Sequence, residues 1–261
     1  MKIIYWNTKQ HSNYLAVLEI LTEEIPDVMF LAECDSTLIL SNLSDLNING
    51  YEHFENPGCS RITIVKKIST NFSLSKQSTY YSSIKDPCNN VNIISVHLPS
   101  QLYQHIDGLK NYFRNLRIEI DSDFGSSLTS NILLIGDFNV NPFDKPMIDF
   151  DGFAASNSKK LKGHITHLGE RKELYYNPTW TLYNNNSFPG TKYFRRPSNS
   201  AFDILEHHFL DQVIMSYHMS QNITLESMKV LEMTTSNIFF DSISNSIKIS
   251  DHLPIIFEYK I

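Results

Sequence analysis

Asp137 and Asn139 stand two residues apart, directly after the apolar run Ile132-Leu133-Leu134-Ile135 and a glycine, Gly136. A carboxylate beside a carboxamide on a rigid support can orient a water and hold a phosphoryl oxygen near a metal ion. In extended backbone residues i and i+2 face the same side, so this pair is expected to look at one spot. Gly136 is expected to stop the strand and turn the chain. Gly-Asp and Asn-Pro also favour a plain Asx turn in any protein, so the block alone decides little.

Other polar groups recur in similar places. Asn7 follows Ile3-Ile4-Tyr5-Trp6, Glu33 follows the largely apolar 27–32, and His97 closes the run 91–96. Asp211 lies near the start of the strand-like 209–216, and Asp251 and His252 interrupt two apolar runs. One glutamate at a strand end is usually a surface residue, and one such histidine is usually structural. Eight polar groups at strand ends or breaks point instead to a common ligand at a sheet edge, where open α/β sheets bind theirs.

The elements that would position them can be read from periodicity. Ser12 can cap a helix with Leu15, Leu18, Leu21 and Ile25 at helical spacing, ended by Pro26. If the strands on either side of that helix are parallel, Asn7 and Glu33 share an edge. Short alternating segments between Gly50 and Tyr81 predict antiparallel strands. Leu102, Ile106, Leu109, Phe113, Leu116 and Ile120 form the stripe of a long helix, and a further strand is expected within 223–233. Nothing repeats internally.

With 261 residues, 41% of them hydrophobic, the chain can build one large domain spanning 1–261. No apolar run is long enough for a membrane span and no signal peptide is evident, so no membrane association is expected. Cys34, Cys59 and Cys88 are odd in number and lack metal or redox spacing, which fits a reducing cytoplasm. The net charge of −6 argues against a protein that coats nucleic acid. Charge is uneven, however: between Lys159 and Phe202 eight basic residues face two acidic ones, net +6, leaving −12 elsewhere. From Tyr175 to Phe202 the segment is free of acidic residues and rich in aromatics, a mixture that can grip a phosphate backbone and stack on bases. The plainer reading is a solvated loop anchored by its rings. The adjacent His207 and His208 are expected to be structural.

The ordered set Asn7, Leu31-Ala32-Glu33, Val96-His97-Leu98, Gly136-Asp137-Phe138-Asn139, Leu210-Asp211-Gln212 and Ser250-Asp251-His252-Leu253-Pro254 resembles the endonuclease/exonuclease/phosphatase superfamily, the deoxyribonuclease I-like phosphohydrolases. Gln212 departs from the aromatic that the family often carries there, with packing rather than chemistry expected to feel it. The resemblance implies a four-layer α/β/β/α sandwich of two packed mixed sheets. It implies a divalent ion, Mg2+ or Mn2+, on Glu33 with Asn7 and Asp251 nearby. It further implies His252 paired with Asp211 to activate water, Asp137 and Asn139 to orient nucleophile and phosphate, and His97 to donate to the phosphate. The expected activity is metal-dependent phosphodiester hydrolysis by a nuclease, with the insert, through Lys192, Arg195 and Arg196, looping near the site to bind nucleic acid. A phosphoesterase for a small-molecule or lipid phosphate is the alternative, and a non-catalytic binding module on the same fold a lesser one.

Overall fold

Two stacked sheets with helices on their outer faces make up the computed structural model, which describes residues 1–9, 14–100, 106–184, 190–193, 207–241 and 246–261. The chain begins with β1 (Lys2–Asn7), α1 (Tyr14–Glu24) and β2 (Val28–Ala32), then two short helices, α2 (Ser36–Ser41) and α3 (Leu43–Ile48). A run of strands follows: β3 (Tyr51–Phe54), β4 (Ile62–Lys67), β5 (Ser73–Gln77), β6 (Tyr81–Asp86) and β7 (Val91–His97). The long α4 (Ile106–Phe124) leads to β8 (Asn131–Asp137) and α5 (Lys145–Ile148). Short strands come next: β9 (Ala155–Ser156), β10 (His164–His167), β11 (Glu170–Glu173), β12 (Tyr175–Tyr176), β13 (Lys192–Tyr193) and β14 (His207–His208). The chain closes with β15 (Asp211–Ser216), α6 (Tyr217–Asn222), β16 (Thr224–Val230), β17 (Phe240–Asp241), β18 (Ser246–Ile247) and β19 (Ile255–Lys260).

One sheet has the order β16-β19-β1-β2-β4-β3 and the other β5-β6-β7-β8-β15-β12-β9. Both are mixed: β1 and β2 run parallel, as do β7 and β8, among antiparallel neighbours. Alternation along the strands explains the layering. Ile3 and Tyr5 of β1 join Phe30, Ile64, Ile93, Leu133, Val213 and Phe257 in a core between the sheets. Ile4 and Trp6 point the other way, onto Val17, Ile20 and Leu21 of α1, with Ile39 of α2 and Leu46 of α3. Across the second sheet Ile94, Ile132, Leu134 and Ile214 meet Leu109, Phe113, Leu116 and Ile120 of α4. The result is the α/β/β/α sandwich.

Several local expectations change. The buried face of α1 is Tyr14, Ala16, Val17, Ile20 and Leu21, while Leu15 and Ile25 are 72% and 54% exposed. Two apolar faces compete on this helix, and the one with the small Ala16 lies against the sheet. Ser12 and Leu102 fall outside the described residues. The strand does not stop at Gly136 but runs through it to Asp137. Glycine is needed there because φ is 153° and a Cβ would stand 2.0 Å from the Val96 carbonyl oxygen on β7.

The basic segment is split. Tyr175 and Tyr176 of β12 pair with Ser216 and Met215, at the opposite end of β15 from Asp211. The preceding β10–β11 hairpin, with Arg171 and Lys172, therefore hangs at the end of the sheet away from Asp137. Arg117 pins that corner by donating to the carbonyls of Phe153 (2.7 Å) and Glu173 (3.0 Å) and stacking on Tyr175. The expectation that the whole insert loops near the site is thus corrected: Lys192 reaches it, whereas Lys159, Lys160, Lys162, Arg171 and Lys172 do not. Arg195 and Arg196 lie outside the described residues.

Candidate active site

Six strands of the two sheets deliver polar side chains to one end of the sandwich. Parallel pairing of β1 and β2 sets Asn7 opposite Ala32, so Glu33 follows immediately beside it. In the other sheet His97, Asp137 and Asp211 lie side by side in register across β7, β8 and β15. Asp251 and His252 arrive in the turn before β19, held by Ser250, whose hydroxyl donates to the Asn7 carbonyl (2.8 Å) and accepts from His252 N–H (3.1 Å). Trp6 Nε1 adds a bond to the His252 carbonyl (3.1 Å).

Polar contacts cross from sheet to sheet here. His252 Nδ1 donates to Asp211 Oδ2 (2.7 Å), and His252 Nε2 lies 3.8 Å from Asp137 Oδ2. Asn7 Nδ2 reaches both Asp137 Oδ2 (3.2 Å) and Glu33 Oε1 (3.3 Å). His97 Nε2 sits 3.2 Å from the same Glu33 oxygen, while its buried Nδ1 has no partner. The Glu33 backbone is hooked into the left-handed region at φ 49° and fastened by its N–H to the Arg61 carbonyl (3.3 Å). Such conformations are held only where surrounding structure enforces them, and active sites collect them.

Electrostatics sort these groups. The hydrogen bond from His97 pulls the Glu33 carboxyl down to about 2 against the opposing effect of burial, with Asn7 adding to the drop. Burial lowers the affinity of His252 for its proton, but the Asp211 charge and hydrogen bond together with the Asp137 charge outweigh it, so its pKa is raised from 6.5. Asp137 is raised, chiefly by burial, with the Asp211 charge adding to it and His252 opposing. Burial also pushes the nearby Cys34 thiol up to about 11, which keeps it a thiol at neutral pH.

Asn139 is not placed as extended geometry predicts. Its φ of 53° breaks the alternation, its N–H caps Asp137 Oδ1 (2.8 Å), and its Nδ2 donates to the Leu98 carbonyl (2.8 Å). It braces the Asp137 turn against the end of β7. Asp251 is directed at two ammonium groups: Lys9 and Lys192 both rest on its Oδ2, while its buried Oδ1 has no partner. Lys192 gets there because β13 bridges to His252, and Thr191 fixes β13 by accepting the Asp211 N–H (3.1 Å) and donating its own N–H to the His208 carbonyl (2.8 Å). Lys9 and Thr191 were not singled out from the sequence, since nothing distinguishes a lone lysine two residues after a strand. Gln212 is fully buried, bonded to Val140 and Asn177, as a packing role requires.

Two donor sets could hold a cation. Asp137, Asp211 and His252 offer ligand atoms within 4.8 Å of one another, although the short Nδ1–Oδ2 bond already joins two of them. Glu33, Asn7 and Asp251 offer oxygen donors, the chemistry that hard divalent ions prefer, with Asn7 Oδ1 also accepting the Lys9 N–H (3.0 Å). The ionised Glu33 and the partnerless Asp251 Oδ1 fit such an ion.

No family model and no curated protein matches the sequence. Solved structures do match. D. rerio TDP2 complexed with single-strand DNA product aligns over 100% of this chain and 99% of its own at TM-score 0.63 and 15% identity. An endonuclease/exonuclease/phosphatase family protein from Bacteroides thetaiotaomicron aligns over 99% and 97% at TM-score 0.56 and 12% identity. A mannosyl-6-phosphatase of the same organism aligns over 100% of both chains at TM-score 0.57 and 12% identity. From β1 to β19 the chain has the fold of the endonuclease/exonuclease/phosphatase superfamily.

Proposed function

We infer that the chain is a metal-dependent phosphodiesterase, acting as a nuclease on DNA or RNA, with residues 1–261 as one catalytic domain. The observation that carries this reading is the buried His252–Asp211 pair, 2.7 Å apart, beside the Asn7–Glu33–Asp137 contacts. A carboxylate behind an imidazole fixes its tautomer and tunes it as a base. His252 Nδ1 is committed to Asp211, so Nε2 is the atom that takes the proton of the attacking water. Asp137, 3.8 Å from that nitrogen, steers the water, and Asn139 holds the Asp137 turn in place. Glu33 and Asn7, with Asp251, would hold Mg2+ or Mn2+, which when bound polarises the phosphoryl oxygens and offsets developing charge. His97 keeps Glu33 ionised and aligned. Lys9 and Lys192 bring positive charge to the mouth of the site, where a phosphate backbone would lie.

The DNA product in the TDP2 structure favours a nucleic-acid substrate. A phosphoesterase for a small phosphate ester is the second reading. It draws support from the position of the β10–β11 hairpin, which takes its basic residues away from the site, and from the mannosyl-6-phosphatase of like fold. Plasmid DNA, single-stranded DNA, RNA and a chromogenic phosphodiester, each incubated with Mg2+, Mn2+ or chelator, separate the two. Metal-dependent cleavage of a nucleic acid is expected; turnover of the small diester alone selects the second reading. Glu33→Ala and His252→Ala are each expected to lower the rate about 100- to 10,000-fold. Full activity in either purified variant overturns the assignment of roles.

A further inference from the structure

On the rim beside the Glu33–His97 pair, a second contact joins the two sheets. Arg61 precedes β4, and its guanidinium carbon lies 4.9 Å from the centroid of the Tyr80 ring, immediately before β6. Tyr80 in turn packs edge-on against Tyr112 of α4, with centroids 5.2 Å apart. Backbone bonds tie this column to the site: the Arg61 carbonyl accepts the Glu33 N–H, and the Tyr80 carbonyl accepts the His97 N–H (2.9 Å). Glu33–His97 and Arg61–Tyr80 are thus neighbouring cross-sheet contacts, one strand apart, a spacing of ~4.8 Å.

The segment that carries Arg61 is held firmly. Asn56 donates to the Cys59 (3.1 Å) and Ile62 (2.7 Å) carbonyls, and Gly58 N–H donates to Gln77 (3.0 Å). Arg61 is exposed, and among the described residues no carboxylate pairs with it. The guanidinium lies over the Tyr80 ring, and among the described residues its N–H groups donate no hydrogen bond, which leaves them for an anion. The planar fork of a guanidinium matches the two oxygens of a phosphate.

We propose that Arg61, stacked on Tyr80, grips a backbone phosphate adjoining the one hydrolysed, and that the substrate is therefore a nucleic-acid strand rather than an isolated phosphate ester. The proposal rests on the hydrolase reading above and specifies its substrate class. An isolated ester offers one phosphate, which the groups around Glu33 and His252 already take. A nucleic-acid strand presents a second phosphate one strand further along the rim, with a sugar or base to lie beside the guanidinium.

The test measures binding of a fluorescent single-stranded 12-mer, DNA and RNA separately, to the intact protein in chelator across a salt series. Arg61→Ala is expected to weaken binding at least tenfold and to reduce the slope of log K against log salt by about 0.7, the share of one phosphate contact on a single strand. Arg61→Lys is expected to restore the slope but only part of the affinity, because the charge returns without the stack. Tyr80→Leu is expected to weaken binding while keeping the slope. Wild-type protein that binds neither 12-mer, or an Arg61→Ala slope equal to that of wild type, overturns the proposal. Metal-dependent turnover of a chromogenic diester by wild-type protein is scored separately. If it persists, the hydrolase reading stands even where the Arg61 proposal falls.

Discussion

His252 sits between two carboxylates, Asp211 and Asp137, that raise its pKa and burial that lowers it, and the carboxylates together prevail. As a base it must be neutral, so activity rises with pH through a limb lying above 6.5. Asp211→Asn removes the larger raising influence and leaves burial opposed by the Asp137 charge. The limb in kcat/KM is therefore expected to move to lower pH, with kcat down about 100- to 10,000-fold. A limb that stays in place would mean another group titrates. The residues of this cluster were legible because each ends a strand or interrupts an apolar run, a position that sequence displays directly. Their partners were less so. Whether Asp251 faces a metal ion or an ammonium depends on where Lys9 and Lys192 reach, and neither spacing nor type encodes that. The left-handed turn at Asn139, which takes its carboxamide to Leu98, is likewise a property of three-dimensional closure.

At the scale of elements, β8 is the strand around which both the register and the site are arranged, and Gly136 is its narrowest point. Gly136→Ala is expected to destabilise the protein by about 3 kcal/mol, from the strained backbone and the clash with Val96. Urea denaturation checks this, and a loss under about 1 kcal/mol would show that the β7–β8 spacing yields easily. Strands with unbroken apolar runs and the stripe of α4 were readable, since their periods leave little choice. On α1 two faces were available, and only contact with the sheet selects between them. The helices α2 and α3 were missed, being six residues each and too short to display a helical period. The insert misled for a different reason: charge and aromatic content report composition, whereas the pairing of β12 with the far end of β15 reports direction.

For the whole molecule, the two tryptophans are placed as independent probes: Trp6 lies in β1 of one sheet, and Trp180 in the helical turn 178–184 beside the other. If 1–261 is one domain, single-tryptophan variants retaining Trp6 or Trp180 are expected to unfold with coincident denaturant midpoints. Separate midpoints would divide the chain into two units. The four layers were foreseeable from the family resemblance that the ordered motifs carry, but the partition of strands between sheets was not, because it depends on long-range pairing. That partition shapes the birth of the protein. β19 lies between β16 and β1, yet it is synthesised about 250 residues after β1. At ~5–20 residues per second the ribosome leaves β1 with an open flank for roughly 12–50 s. During that interval Ile3, Ile4, Tyr5 and Trp6, all buried in the finished sheet, form an apolar edge without its neighbour. A nascent chain of this topology needs shelter while its first strand waits for its last.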